Sequence, residues 1–251
     1  YDIDKLHPEW HARKLFNFSG VKKRHIANND ETSLSMSINL IKNILKKNKN
    51  FLSNIDGIIF CTQSPDYFLP SNSSVLQGTF KFRENIFTLD ISHACSGFLY
   101  SLGLADSLIK NKRCKKILLI NSDTYSKMIN PNDRSTKLLF SDAAALTVVD
   151  SSSNNLIDIN FSNSGKHYEK LIYKYKGFNK YSNKASNKHL KMDGMGIMSF
   201  INSKLPQQIN SILKKNKLKL SDINYFFFHQ ASKLAIDNLV KLLNIPKNKV
   251  I

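Results

Sequence analysis

Apolar and polar positions along the chain follow two different periods. Between Glu31 and Lys47, Leu34, Ile38, Ile41 and Leu45 fall three or four residues apart with Asn and Lys between them, which predicts a helix with one buried face. Thr32 stands where its hydroxyl would cap that helix. Short unbroken apolar runs predict strands covered on both faces: DGIIFCT (Asp56–Thr62), KILLINSD (Lys116–Asp123) and AALTVV within the stretch from Pro131 to Val149. Between the first two lies DISHACSGFLYSLGLADSL (Asp90–Leu108). It reads as a strand (Ile86–Ile91), a tight turn, and a helix opening with Cys95, Ser96 and Gly97, on which Phe98, Leu102, Ala105 and Ile109 form one face. A loop, Gln63–Pro70, leads into a helix from Ser71. Farther on come strands near Leu156–Phe161 and Lys170–Tyr175, a polar loop Gly177–Lys188, and a long helix opened by Lys191–Phe200 and reaching about Lys215. The aromatic strand NYFFFHQ (Asn224–Gln230) and the helix Lys233–Leu243 follow, while Tyr1–Asn29 reads as irregular. Strand and helix alternate on both sides of SSSNN (Ser151–Asn155), which predicts an α/β architecture with halves 1–150 and 151–251.

Two of the strand-to-helix junctions carry chemistry. A cysteine at a helix start meets unpaired N–H groups and the positive dipole end, an environment that lowers a thiol pKa and makes a nucleophile. The plainer reading of Cys95 alone is a small buried hydrophobe. His229, at the carboxyl end of the aromatic strand, can lean over the crevice of an α/β sheet; alone it reads as a core or capping histidine. A Cys and a His in different halves, each at such a junction, fit a nucleophile with a distant partner. Cys61 reads as packing within its strand, and His167 and His189 as exposed.

Longer stretches narrow this. PDYFLPSNSSVLQ, DISHACSGFLYSL, NPNDRSTKLLFSDAAA and FFFHQAS occur in that order, preceded by SGVKKRHIA (Ser19–Ala27). In the same order they resemble the segment before the nucleophile, the nucleophile motif, the DRGT…FGDGAGA stretch, the HQAN motif and the early TGI..RHIA of the β-ketoacyl-acyl carrier protein synthase III family. These are condensing enzymes of the thiolase superfamily, and the resemblance covers nearly the whole chain. It implies a thiolase-like fold of duplicated α/β halves in a layered α-β-α-β-α arrangement with the carboxyl-terminal half incomplete, although no internal sequence repeat shows the duplication independently. It also implies transfer of an acyl group from a coenzyme A or carrier thioester to Cys95, then decarboxylative Claisen condensation with malonyl-acyl carrier protein. No metal or redox cofactor is implied.

By the same resemblance, His229 Nε2 and a family asparagine would stabilise the enolate, and the Cys95 backbone N–H the oxyanion of acyl transfer. Leu69 matches a position that closes the acyl pocket across a homodimer interface, and Trp10 and Arg134 match residues that hold the nucleotide end of coenzyme A. Read from the residues alone, Leu69 is an ordinary loop leucine and Arg134 a surface ion-pair partner. The chain departs from the family pattern at Phe18, where the family has arginine, and by an insertion between Trp10 and Gly20. It departs again at Ser141, Ala143 and Ala145, which replace glycines around a retained Asp142. The family's first strand, its GNT-type asparagine loop and its glycine-rich oxyanion loop have no match, so a diverged member recorded without both ends is expected.

Composition adds limits. The 251 residues, 41% of them hydrophobic, can build one large domain or two packed halves. Three cysteines without paired spacing argue against a disulfide framework or a zinc site. The net charge of +18 would attract polyanions, and an acidic acyl carrier protein is the partner that the resemblance implies. No aromatic–basic nucleic-acid motif is visible, and clusters such as Lys46-Lys47-Asn48-Lys49 and Lys214-Lys215-Asn216-Lys217 sit where helix ends welcome cations. No run reaches membrane-spanning length and no signal peptide opens the chain, so a cytoplasmic protein without membrane insertion is expected. Two other classes stay open: an acyltransferase of this fold forming an ester or amide, and a non-catalytic basic binding protein.

Overall fold

The computed structural model describes residues 3–152, 156–175, 177–178, 184–185 and 188–251. The elements in chain order are α1 (Ile3–Leu6), α2 (Ala12–Ser19), α3 (Ser33–Lys47), β1 (Gly57–Cys61), α4 (Asn72–Thr79), β2 (Phe87–Ile91) and α5 (Gly97–Lys110). There follow β3 (Lys116–Thr124), α6 (Arg134–Lys137), β4 (Asp142–Asp150), β5 (Leu171–Ile172), β6 (Lys191–Met192), α7 (Gly194–Lys215) and α8 (Lys233–Leu243). They form two compact units. One comprises His25–Tyr125 and Ser141–Ile159; the other comprises Tyr1–Arg24, Ser126–Phe140 and Asn160–Ile251.

The first unit is built on a sheet of order β2-β1-β3-β4, in which β1 runs parallel to β2 and β3 while β4 is antiparallel to β3. The unbroken apolar character of β1 and β3 follows from cover on both faces. Ile58, Phe60, Leu118 and Ile120 point to a core shared with Leu34 and Ile41 of α3 and Leu76 of α4. Ile59, Ile117 and Leu119 point the other way, to Ala105, Leu102 and Leu108 of α5. Alternate residues of one strand thus serve opposite layers. The helix starts are set locally. Thr32 and Ser35 form a reciprocal capping box on α3, and Ser71 caps α4.

The second unit packs α7 and α8 around Leu239, Val240, Leu243 and Ile245, with Leu205, Ile209, Phe226 and Phe228 against them. Its sequence was the harder to read. Within the stretch expected to be irregular, residues 3–19 hold α1 and α2, the latter stopped by Gly20 at φ +76, whose N–H bonds Phe16 O at 2.7 Å, while residues 21–28 are irregular as expected. Leu156–Phe161 forms no strand; the Asn160 carbonyl accepts from Gln208 Nε2 of α7 at 2.9 Å instead of from a ladder partner. The strand expected over Lys170–Tyr175 shrinks to Leu171–Ile172, paired with β6. Asn224–Gln230 is extended but bridged only at Phe226, to Val250. Residues 153–155 of the SSSNN boundary and 179–183 and 186–187 of the expected loop lie outside the described residues.

Candidate active site

Cys95 is placed by three local decisions. The last register pair of β2 sets Ile91 beside Cys61, and Ile91 O accepts from Thr62 N at 3.1 Å, which fixes where the chain leaves the sheet. The turn then closes with a 2.7 Å bond from Gly97 N to Ala94 O. Finally, Gly97 has to lack a side chain, because a Cβ there would overlap Cys61 Sγ.

The helix begins at Gly97 with Ser96 as its N-cap, so Cys95 precedes it rather than opening it. Cys95 is reached by solvent, yet the surrounding protein desolvates its sulfur and pushes the thiol up from its ordinary value. The charge of Asp123 adds to the rise, and a bond to the Cys95 backbone opposes it. This reverses the lowered pKa expected from a helix start. The thiol stands ahead of the cap, and the first helical N–H is already committed within the turn.

Asp123 ends the apolar part of β3 and was not singled out from the sequence, although an acid closing KILLINS was the available signal. It accepts hydrogen bonds from Thr62 Oγ1 (3.1 Å), Gln63 N (2.7 Å), Ser64 N (3.1 Å) and Ser64 Oγ (3.1 Å). Burial raises its carboxyl and these donors hold the rise back. Next to it, Tyr125 donates its hydroxyl to Gln63 Oε1, and its phenol is pushed far up by burial and by the charges of Asp123, Cys95 and Cys61. In the same unit Leu69 stands 84% exposed in the loop before α4, with Tyr67 and Phe68 exposed beside it.

Where the family pattern has glycines, Ser141 has taken on a bonding role. Its hydroxyl accepts from His25 N at 2.8 Å and donates to His25 O at 2.9 Å, while Asp142 Oδ2 accepts from Ala27 N at 2.7 Å. The stretches SGVKKRHIA and FSDAAA are therefore stitched to each other.

The second unit carries Trp10, Arg134 and His229. Trp10 is buried with its ring stacked on His7, centroids 3.8 Å apart and 5° from parallel. Lys137 Nζ lies 5.4 Å from the indole centroid and 2.9 Å from His7 Nε2; burial and the nearby Arg24 push its ammonium pKa down. Asp133 caps α6 by accepting from Ser135 N at 2.9 Å, and Arg134, the first residue of α6, is exposed. Phe18 is 56% exposed. His229 is exposed too, but desolvation by its surroundings pushes its imidazole below the ordinary value. Its backbone is held from the helix side: His229 O accepts from Ala231 N at 2.9 Å, and Ser232 Oγ caps α8 through Ala235 N at 3.1 Å. His167 and His189, expected on the surface, are half-buried, with His167 Nδ1 2.9 Å from Ser164 Oγ.

Among the described residues no group of three or more His, Cys, Asp or Glu side chains could hold a metal ion, and no helix is long and apolar enough to cross a membrane.

A family model described as 3-oxoacyl-[acyl-carrier-protein (ACP)] synthase III matches residues 89–165, and its C-terminal counterpart matches residues 213–251. The two matches contain Cys95 and His229. A β-ketoacyl-[acyl-carrier-protein] synthase III of Rickettsia rickettsii is 35% identical over 235 residues, 93% of this chain and 73% of the relative. The protein of that name from Wolbachia pipientis is 34% identical over 252 residues, 99% of this chain and 76% of its own. A crystal structure of a 3-oxoacyl-(acyl-carrier-protein) synthase III superposes with a TM-score of 0.90 at 30% identity, covering 99% of this chain and 78% of that one. The expected thiolase-like α/β fold is thereby borne out.

Proposed function

The chain belongs to the 3-oxoacyl-[acyl-carrier-protein] synthase III family, and from that premise we propose that Cys95 is the nucleophile and His229 the enolate-stabilising donor of its condensation. The family's members are acyltransferases of fatty-acid biosynthesis, and the ester- or amide-forming alternative is not favoured. The observation that carries the assignment is a solvent-reached thiol in the turn between β2 and α5, inside the matched segment.

In this reading the Cys95 sulfur attacks an acyl thioester, its proton leaves with the expelled carrier thiol, and an acyl-enzyme forms. Because the resting thiol is raised by desolvation, the nucleophilic form arises on attack rather than standing charged beforehand. Malonyl-acyl carrier protein then loses CO2, its enolate carbon attacks the Cys95 thioester, and a β-ketoacyl product and a thiolate result; the thiolate regains a proton. A desolvated, neutral imidazole at His229 suits donation of an N–H to the enolate oxygen. No metal is required.

The same reading gives Trp10 and Arg134 the nucleotide end of a coenzyme A donor. A nucleotide stacking on Trp10 must either displace His7 or use the indole's other face. Leu69, with Tyr67 and Phe68, offers an exposed apolar tip that suits a homodimer contact closing the acyl pocket. An acidic acyl carrier protein as partner suits the net charge of +18, and a cytoplasmic setting suits the free cysteines. The halves 1–150 and 151–251, carrying the nucleophile and the histidine, belong to this reading as well.

Intact mass spectrometry after incubation with a panel of acyl-coenzyme A and acyl-carrier thioesters tests it, with Cys95→Ala alongside. An acyl adduct lost in the variant is expected, and the preferred thioester names the primer. No adduct with any donor would remove the covalent mechanism.

A further inference from the structure

The turn that presents Cys95 is clamped from two directions by side chains that the reaction itself does not use. From the sheet side, Cys61 Sγ donates to His93 O at 3.3 Å and fills the space against Gly97. From the other side, the His93 imidazole is fixed twice: its Nδ1 lies 3.0 Å from Ser96 Oγ, and its ring stacks on Tyr100 with centroids 4.0 Å apart and 23° between planes. Cys95 sits midway, two residues from His93 and two from Gly97.

Ser96 makes this informative. A serine at an N-cap with extended backbone ordinarily turns its hydroxyl back to accept from the second or third helical N–H. Ser96 is the N-cap of α5 and makes no such bond. At Ser71 and Ser232, in the caps of α4 and α8, the hydroxyl does turn back. The hydroxyl at Ser96 is used on His93 instead. Ser71 and Ser232 have extended backbones, whereas Ser96 is helical (φ −84, ψ −4), which turns its hydroxyl away from the helical N–H groups and toward the imidazole that braces the nucleophile's turn.

We propose that His93 is a positioning residue for Cys95, acting through Ser96 to hold the turn from Ser92 to Gly97 in the geometry from which the thiol attacks. The inference rests on Cys95 being the nucleophile. Its effect would fall on the orientation of the sulfur and not on donor affinity, so kcat should drop while KM for the acyl donor stays.

The test compares His93→Ala, His93→Asn and Ser96→Ala with wild type. Alkylation of Cys95 by iodoacetamide is followed by peptide mass spectrometry, beside kcat, KM and the thermal midpoint. An asparagine amide can occupy the place of Nδ1 and keep the bond to Ser96. We expect His93→Ala and Ser96→Ala to slow Cys95 alkylation and kcat by about ten- to a hundredfold, with KM and midpoint little changed, and His93→Asn to recover most of the rate. Wild-type alkylation and kcat in His93→Ala overturn the proposal, as does a loss in which His93→Asn fares no better than alanine. If His93→Ala does not fold, Ser96→Ala decides, and wild-type reactivity there overturns it. Iodoacetamide needs no acyl donor, so a wild type that never acylates would sink the nucleophile assignment without touching the alkylation result.

Discussion

Cys95 and His229 occupy similar places, each between an extended segment and a helix, yet they are held by different means. The turn of Cys95 is fixed from its sheet: β2 makes five register pairs with β1, and Cys61 reaches from β1 to both ends of the turn. The segment before His229 has a single bridge, at Phe226, and leaves Phe227 75% exposed; its order comes from α8 and the Ser232 cap. The electrostatics differ in sign and agree in outcome. Desolvation raises the thiol and lowers the imidazole, so it keeps both groups uncharged in the pH range between their ordinary values. On the proposed roles, the group that would lose a proton and attack is held from its sheet, whereas the one that would donate an N–H is placed by the end of a helix.

The sharpest break in the comparison is Cys95→Ala, expected to abolish the acyl adduct and lower turnover by at least about three orders of magnitude. His229→Ala should separate the two regions: condensation falls about a hundred- to a thousandfold while the acyl-Cys95 adduct still forms. A variant that loses both steps would mean that His229 also serves acylation. pH sharpens the contrast further. With the thiol raised, the alkylation rate of Cys95 should keep climbing above pH 9.0, the ordinary thiol value, at about tenfold per unit until its own pKa is passed. With the imidazole lowered, the ring-proton NMR shifts of His229 should stay those of the neutral form through 6.5, the ordinary histidine value, and change only below it. A thiol plateau below 9.0, or an imidazole transition centred at or above 6.5, would contradict the desolvated environments.

The same difference decides what could be read without the structure. Helices α3 and α8 were legible because each buries one face at a constant period, β1 and β3 because their unbroken apolar runs are covered on both faces, and Thr32 marked the start of α3. The pairing of Cys95 with a distant histidine is a proposal drawn from junctions and motif order, and the family matches cover both residues. The raised thiol was not legible. It depends first on desolvation of the sulfur by the surrounding protein, and then on Asp123 arriving from β3. Nor was α2, whose eight residues before Gly20 are too few to establish a helical period on their own. At Leu156–Phe161 no strand forms, and the Asn160 carbonyl is taken by Gln208, 48 residues away, a partner that no local pattern announces.

Gly97 tests how hard the sheet side grips. Gly97→Ala should destabilise the fold by about 1–3 kcal/mol through overlap with Cys61 Sγ. Removing that sulfur with Cys61→Ala should make the alanine tolerable, leaving a coupling between the two changes of about 0.5–3 kcal/mol in denaturant unfolding. Additive costs would mean that the turn yields elsewhere and that Cys61 is not the anvil.

On the His229 side the expected effect is smaller. Ser232→Ala removes the hydroxyl that accepts from Ala235 N and should cost about 1 kcal/mol of stability by chemical denaturation. Ser232→Asp, which keeps an acceptor and adds a charge suited to the helix start, should restore it. The informative readout is the ratio of condensation to acylation. If α8 places His229, fraying its first turn lowers condensation while the rate of adduct formation at Cys95 stays put, and aspartate repairs both stability and condensation. An equal loss in both steps would instead mean that the cap matters only for global stability, and that the segment before His229, despite its single bridge, holds the imidazole without help from the helix.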